Sequence, residues 1–116
     1  MLLRIDPSID EPLHQQIAAQ VRRAIAEGKV RRGAQLPPAR ELAASLDVNM
    51  HTVLRAYTTL RDEGLVEMRR GRGVTVAAND GAPRARVVEL ARELLAEARR
   101  HSVDLRELKK LLESLS

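Results

Sequence analysis

The stretch from Pro38 to Glu63 constrains the fold more than any other part of the chain. It encodes two helices joined by a corner so short that they must cross steeply and pack tightly. The first is expected from Pro38 to Leu46, since proline is tolerated in a first helical turn. Asp47 and Val48 make the corner, Asn49 is placed to cap the second helix, and Gly64 ends that helix after Glu63. Such a crossing needs a small residue at the contact, a corner residue that tolerates left-handed backbone, and apolar residues on the shared face. Ala43, Asp47 and Val53 fill these roles in that order, with Leu42, Leu46, Val48, Ala56 and Leu60 at the other inward positions. Glycine would sit more easily at the corner, but aspartate visits left-handed geometry more readily than most residues. The spacing is that of a helix-turn-helix.

The flanking segments complete one unit. Downstream, Leu65 to Met68 reads as a strand, Arg69 to Gly73 as a basic glycine turn and Val74 to Val76 as a returning strand. A hairpin directly after a helix-turn-helix is a wing. Upstream, Leu13, Ile17, Val21 and Ile25 recur every four residues beside Ala18 and Ala24, one apolar face of a helix from about Pro12 to Glu27. Glu11 favours the positive end of its dipole and Gly28 supplies its stop. Lys29 to Gly33 is a basic turn, and Leu2 to Ile5 is a short strand or arm ended by Asp6-Pro7.

Ala77 to Pro83 is a linker and helix start. The next helix runs to about Arg100, with Val87, Leu90, Ala91, Leu94, Leu95 and Ala98 as its apolar positions. After a break at His101 to Val103, Asp104 caps a last helix, with Glu107 at the matching capping-box position. Leu105, Leu108, Leu112 and Leu115 follow at helical spacing. Two short helices cannot bury both apolar faces alone, so pairing with the same segment of a second chain is expected to form a four-helix core. The fold class read from the chain is therefore mostly α with a small β-hairpin wing. A winged helix-turn-helix over residues 1–77 is followed by a two-helix dimerisation tail over residues 78–116. With one tyrosine and no Phe or Trp, the core must be built from small aliphatic units, which suits close helix packing.

Charge and composition narrow the function. Lys and Arg total 20 against 16 acids, a formal +4, and the segment from Lys29 to Arg72 alone carries that excess. A mild positive balance permits nucleic-acid binding without requiring it. The absence of cysteine excludes a disulfide framework and a thiolate metal site. No apolar run suits a signal peptide or a membrane span, so a cytoplasmic protein without membrane contact is expected. No phosphate loop after a strand, His/Cys metal spacing or nucleophile–base pair is present, so neither an enzyme nor a metal or cofactor site is expected.

With Val53, Ala56, Tyr57 and Leu60 turned inward, Met50, His51, Thr52 and Arg55 project from the first turns of the second helix, the part that enters the major groove in a helix-turn-helix. His51 and Thr52 suit base edges, Met50 and Leu54 suit thymine methyl groups, and Arg55 suits a phosphate. Arg69, Arg70 and Arg72 at the wing tip would neutralise phosphates or enter a narrow minor groove, while Gly71 and Gly73 allow a sharp turn. His14 and His101 read as surface residues and Tyr57 as core packing.

Pro12-Leu13-His14-Gln15-Gln16-Ile17, Leu36-Pro37-Pro38-Ala39-Arg40-Glu41-Leu42-Ala43, Val48-Asn49 through Val53-Leu54-Arg55-Ala56-Tyr57, Glu63-Gly64-Leu65-Val66 and Arg70-Gly71-Arg72-Gly73 together resemble the DNA-binding domain of GntR-family regulators. The short tail is similar to the YtrA-type branch. The resemblance implies a dimer on a palindromic operator, with Arg40 contacting DNA at the start of its helix, Thr52 facing the groove, and Arg72-Gly73 at the wing tip. Many relatives carry arginine where this chain has Met50 and Leu54, so base readout differs there. The expected DNA-binding set is Arg40, Asn49, Met50, His51, Thr52, Arg55, Arg69, Arg70, Arg72 and Gly73. The expected dimerisation set is Val87, Leu90, Leu94, Leu95, Leu105, Leu108, Leu112 and Leu115. These expectations describe a homodimeric repressor with double-stranded DNA as partner and room for an unknown small-molecule effector. A protein-interaction module built on the same fold is the alternative, and a small-molecule or metal sensor using the dimer groove is a third reading.

Overall fold

The computed structural model describes residues 3–71, 73–77 and 81–116. Helix α1 spans Leu13–Ala26, α2 Ala39–Leu46 and α3 Met50–Asp62. Strands β1 (Val66–Arg69) and β2 (Gly73–Val76) form an antiparallel hairpin in which Val66 faces Val76 and Arg69 faces Gly73. Helices α4 (Gly81–Arg100) and α5 (Leu105–Leu115) complete the chain. The fold is a mostly α winged helix-turn-helix with a helical tail. Among the described residues, no helix is long and apolar enough to cross a membrane.

The corner between α2 and α3 has the expected geometry. Asp47 lies in the left-handed region at φ 55°, ψ 49°. The Val48 N–H donates to the Ala43 carbonyl at 3.0 Å, which closes the end of α2. Ala43, Val53, Ala56, Tyr57 and Leu60 are buried together with Ile17, Val21 and Ile25 of α1, Leu65 just before β1, and Val66, Val74 and Val76 of the hairpin. One aliphatic core thus joins three helices to the wing.

The segment between α1 and α2 does more than connect. Gln35 bridges to Thr75, and the Leu36 N–H donates to the Val74 carbonyl at 2.8 Å, so this segment is pinned along β2 by an isolated antiparallel bridge. Tyr57 on α3 donates its hydroxyl to the Pro37 carbonyl at 2.6 Å. The start of α2, the middle of α3 and the wing are therefore tied to one stretch of backbone.

Among the described residues of the N-terminal arm, from Leu3 onward, none forms a strand, and Leu2 lies outside the described residues. Gln16, itself buried, accepts from the Asp6 N–H at 2.7 Å and donates to the Asp6 carbonyl at 2.9 Å. Gln20 makes the same pair of bonds with Arg4. Two glutamines one helical turn apart thus satisfy an extended backbone that has no partner strand. Leu3 and Ile5 rest against the core as a result.

Helix α4 docks on α1. Ala85 is fully buried, and Gly81 lies so close to α1 that a Cβ there would meet Ile25 Cγ2 at 3.7 Å. Gly64, at φ +79°, ends the α3 turn in a conformation that disfavours side chains, and a Cβ there would lie 2.7 Å from Arg84 Nε. The glycine thereby lets the Arg84 guanidinium settle over the end of α3.

Burial raises the Tyr57 hydroxyl from its ordinary 10.0 to about 12. Between these values the unfolded chain has lost a proton that the folded chain keeps, so stability present below pH 10.0 is lost as pH rises toward about 12. Tyr57→Phe should cost about 1–3 kcal/mol at neutral pH, because the Pro37 carbonyl loses its donor. The same substitution should lessen the alkaline loss of stability. Urea unfolding of both proteins across this pH range checks the pair of effects.

Candidate nucleic-acid interface

Helix α3 begins one residue after a true N-cap. The Asn49 side chain accepts from the His51 N–H at 2.8 Å, and the Thr52 N–H donates to the Asn49 carbonyl at 3.0 Å. The cap fixes where the helix starts and therefore which side chains its first turns present. Asn49, His51 and Arg55 are exposed and Thr52 is half-buried. Met50 is also half-buried and packs partly against the core, so less of it faces outward than the helical spacing alone implies.

Arg40 is exposed in the first turn of α2. That turn follows the Gln35–Pro38 segment, which is bonded to β2 on one side and to Tyr57 on the other. The wing, the start of α2 and α3 are thus neighbours in space as well as in sequence. Among the described residues, no carboxylate lies within ion-pair distance of Arg40, Arg55 or Arg70. Arg69 differs, because Glu67 on the same strand pairs with it at 3.0 Å. Gly71 and Gly73 have φ of 80° and 75°, as a tight wing tip requires, and Arg72 between them lies outside the described residues.

His14 sits in the first turn of α1, half-buried, with its pKa held below the ordinary histidine value. Desolvation is the larger cause and the nearby Arg55 cation the smaller. The first turn of α1 therefore lies beside α3, and His14 favours its neutral form there. The spacing of apolar residues alone gave no sign of this contact.

The tail presents a second face. Val87, Leu90 and Leu94 on α4 and Leu105, Leu112 and Leu115 on α5 are large exposed apolar side chains, up to 74 % exposed at Leu115. Leu111 joins them at 50 % and was not among the expected set. Leu108 and Leu95 differ from the expected set in the other direction. Leu108 is buried within a single chain and Leu95 is half-buried, so their own chain already covers much of both. The Asp104 cap forms as expected, its carboxylate accepting from the Glu107 N–H at 2.9 Å. Among the described residues, no group of three or more His, Cys, Asp or Glu side chains is arranged to hold a metal ion.

Two helices packed across a left-handed corner, with a capped second helix followed by a wing, define the winged helix-turn-helix class. Residues 13–76 match the pattern of the bacterial regulatory proteins of the gntR family, and the chain belongs to that family. It is 30 % identical over 120 residues to the HTH-type transcriptional repressor YtrA of Bacillus subtilis (strain 168), a match spanning 99 % of this chain and 92 % of that protein. Among solved structures it is similar to YtrA from Sulfolobus acidocaldarius, a GntR-family transcription factor. The TM-score is 0.64 at 37 % identity, over 82 % of this chain and 99 % of that one. The AraR DBD in complex with operator ORX1 shares the fold, with TM-score 0.59 and 24 % identity over 66 % of this chain and 96 % of that one. Likeness to the YtrA proteins extends beyond the winged helix into the tail, as the short tail implied. The chain is a transcription regulator and not an enzyme.

Replacing Asn49 by Ala removes the cap acceptor and should cost about 1 kcal/mol of stability. Asn49→Asp keeps an acceptor and should restore most of that loss. Thermal unfolding of the two variants separates capping from any effect of side-chain size.

Proposed function

We propose that the chain is a sequence-specific DNA-binding repressor that acts in the cytoplasm as a homodimer on a palindromic operator. The observation that carries this reading is the exposed, Asn49-capped start of α3, flanked by the unpaired guanidinium groups of Arg40 and Arg55. Cations without carboxylate partners are free to bind phosphate at little competing cost, and the arginines of the wing extend the same positive surface. Arg40, Arg55, Arg69, Arg70 and Arg72 fix register on the phosphates, with Gly73 giving the wing a close approach. His51 and Thr52 read base edges and Met50 supplies apolar contact. That the AraR DBD is seen on an operator with this fold supports the assignment.

In this reading residues 1–77 are the DNA-binding domain and residues 78–116 the dimerisation tail. Val87, Leu90 and Leu94 of α4, with Leu105, Leu111, Leu112 and Leu115 of α5, form the face that a second copy covers. An apolar surface of this extent, rimmed by charge, marks an interaction site. A two-fold pair places two reading helices in successive major grooves about 34 Å apart.

Arg40→Ala should weaken operator binding at least about tenfold and lower the salt dependence by about one counterion, with no shift in the unfolding midpoint. Titration by fluorescence anisotropy at several salt concentrations tests this, using duplexes selected from a random pool. Absence of salt-dependent binding to any duplex would instead favour the protein-interaction module. Replacing both Leu90 and Leu94 by Asp should give a folded monomer in sedimentation velocity, with affinity for a single half-site retained.

A further inference from the structure

Glu63 is the residue at which α3 ends, and three arginines converge on it. Arg22 of α1 grips the carboxylate as a fork, its Nε and Nη2 donating to the two oxygens at 2.9 and 2.8 Å. Arg92 of α4 donates from Nε and Nη2 to Oε2 at 2.9 and 2.6 Å. Arg84, also of α4, donates from Nε to the Glu63 carbonyl at 2.5 Å. The side chains of Arg22 and Glu63 are only 5 % and 12 % exposed, so the pair at the centre of the cluster is largely withdrawn from water. Arg23 of α1 adds a pair with Glu89 of α4 at 3.6 Å.

The position of this cluster is what matters. Glu63 is the C-cap of the reading helix, at the end opposite the Asn49 cap. Arg92 lies part-way along α4, after the buried Ala85 and before the stretch that protrudes. Beyond Arg92, every residue of α4 is exposed apart from Leu95 and Ala98. The rest of α4 and all of α5 therefore extend as a lever from this point, and a small rotation at the latch moves the tail by a much larger amount.

We infer that the Glu63–Arg92 ion pair is a positioning device that fixes the angle between the tail and the reading helix, and so sets the half-site spacing the protein accepts. This rests on the homodimer reading above. In a two-fold pair the tail sets the symmetry axis, and the angle at the latch sets how far α3 stands from it. Two donors of one guanidinium on the same Oε2 hold such an angle better than a single ammonium, because their directions are fixed. Glu63 and Arg92 touch no base in this account and act only through the helices they join.

Arg92 is the residue to test. Its side chain is 44 % exposed, and its removal leaves Glu63 paired with Arg22, so no buried charge is orphaned. The probe is the tightest palindromic duplex that the wild-type protein selects from a random pool. Versions with one or two base pairs added or removed at the centre, and a single half-site duplex, complete the set. The wild-type protein should prefer its own spacing by about tenfold over a one-base-pair change, since such a change rotates and shifts one half-site. Arg92→Met should flatten that preference to within about threefold, while half-site affinity, dimer sedimentation and unfolding midpoint stay near wild type. Arg92→Lys should recover part of the preference, and a Glu63→Gln variant that folds should flatten it as Arg92→Met does. A wild-type spacing profile in Arg92→Met overturns the proposal. Loss of half-site binding in that variant would assign Arg92 to folding and overturn it equally. A monomeric wild-type protein with no spacing preference would sink the homodimer reading itself, a result distinct from either.

Discussion

The left-handed corner at Asp47 is the constraint on which the remainder of the structure depends. It turns the chain within two residues, so α3 starts against α2 with its inward face already set by Ala43, Val53 and Ala56. A longer corner would let α3 slide, and the exposed first turn would lose its fixed set of side chains. The cost of holding a non-glycine residue at positive φ is of order 1 kcal/mol. The core that closes behind the corner offsets it, and the result is a helix start whose outward residues are determined by packing and not by chance. Function is thus written at the surface by a decision made in the interior.

The molecule uses two kinds of adhesion for two purposes. Aliphatic burial joins α1, α2, α3 and the wing, supplying most of the stability without much directional preference. Polar contacts with strict geometry then fix relative position at places where burial alone is indifferent. Tyr57 ties α3 to the Pro37 carbonyl, Gln16 and Gln20 hold the N-terminal arm, and Glu63 gathers arginines from α1 and α4. Among the described residues, no buried side-chain polar atom is left without a partner. Buried polar groups of this kind are weak evidence for stability but can specify one arrangement among several of similar burial.

Local patterns carried the order of elements. The period-four run from Leu13 to Ile25, the Ala43–Asp47–Val53 spacing, the Asn49 and Asp104 caps and the glycine turn of the wing all express chemistry that operates within a few residues. What the pattern could not show depends on partners far apart in the chain. Gln16 and Arg22 look like the polar edge of an amphipathic helix, yet both are buried because Asp6 and Glu63 come to meet them. Gln35 looks like loop, yet it bridges to Thr75 across the fold. The helical spacing put Leu108 on the face left for a partner and passed over Leu111, yet the first is buried in its own chain and the second is exposed. His51 and Arg55 were legible as outward residues of α3 because their inward neighbours were, Met50 only in part, and the latch not at all, since glutamate at a helix end is common and its arginines are 41 and 29 residues away.

The two treatments of arginine in this chain separate its two tasks. Arg22, Arg84 and Arg92 are spent on protein acceptors, and they lie where the winged helix meets the tail. Among the described residues, Arg40, Arg55 and Arg70 have no carboxylate within ion-pair distance, and Arg55 lies on α3 itself. A guanidinium already matched to a carboxylate gains little from a phosphate, whereas an unmatched one gains the full contact and releases counterions as it does so. In the function proposed above, affinity for a polyanion comes from the arginines without carboxylates, and its geometry from the arginines already matched to protein acceptors. Because the two sets share no residue, the proposed homodimer could change how tightly it binds without changing where its reading helices stand, and the reverse. The single helix common to both is α3, with its reading turn at one end and Glu63 at the other. In the proposed dimer, a change of angle imposed at the tail reaches the reading turn through that one helix.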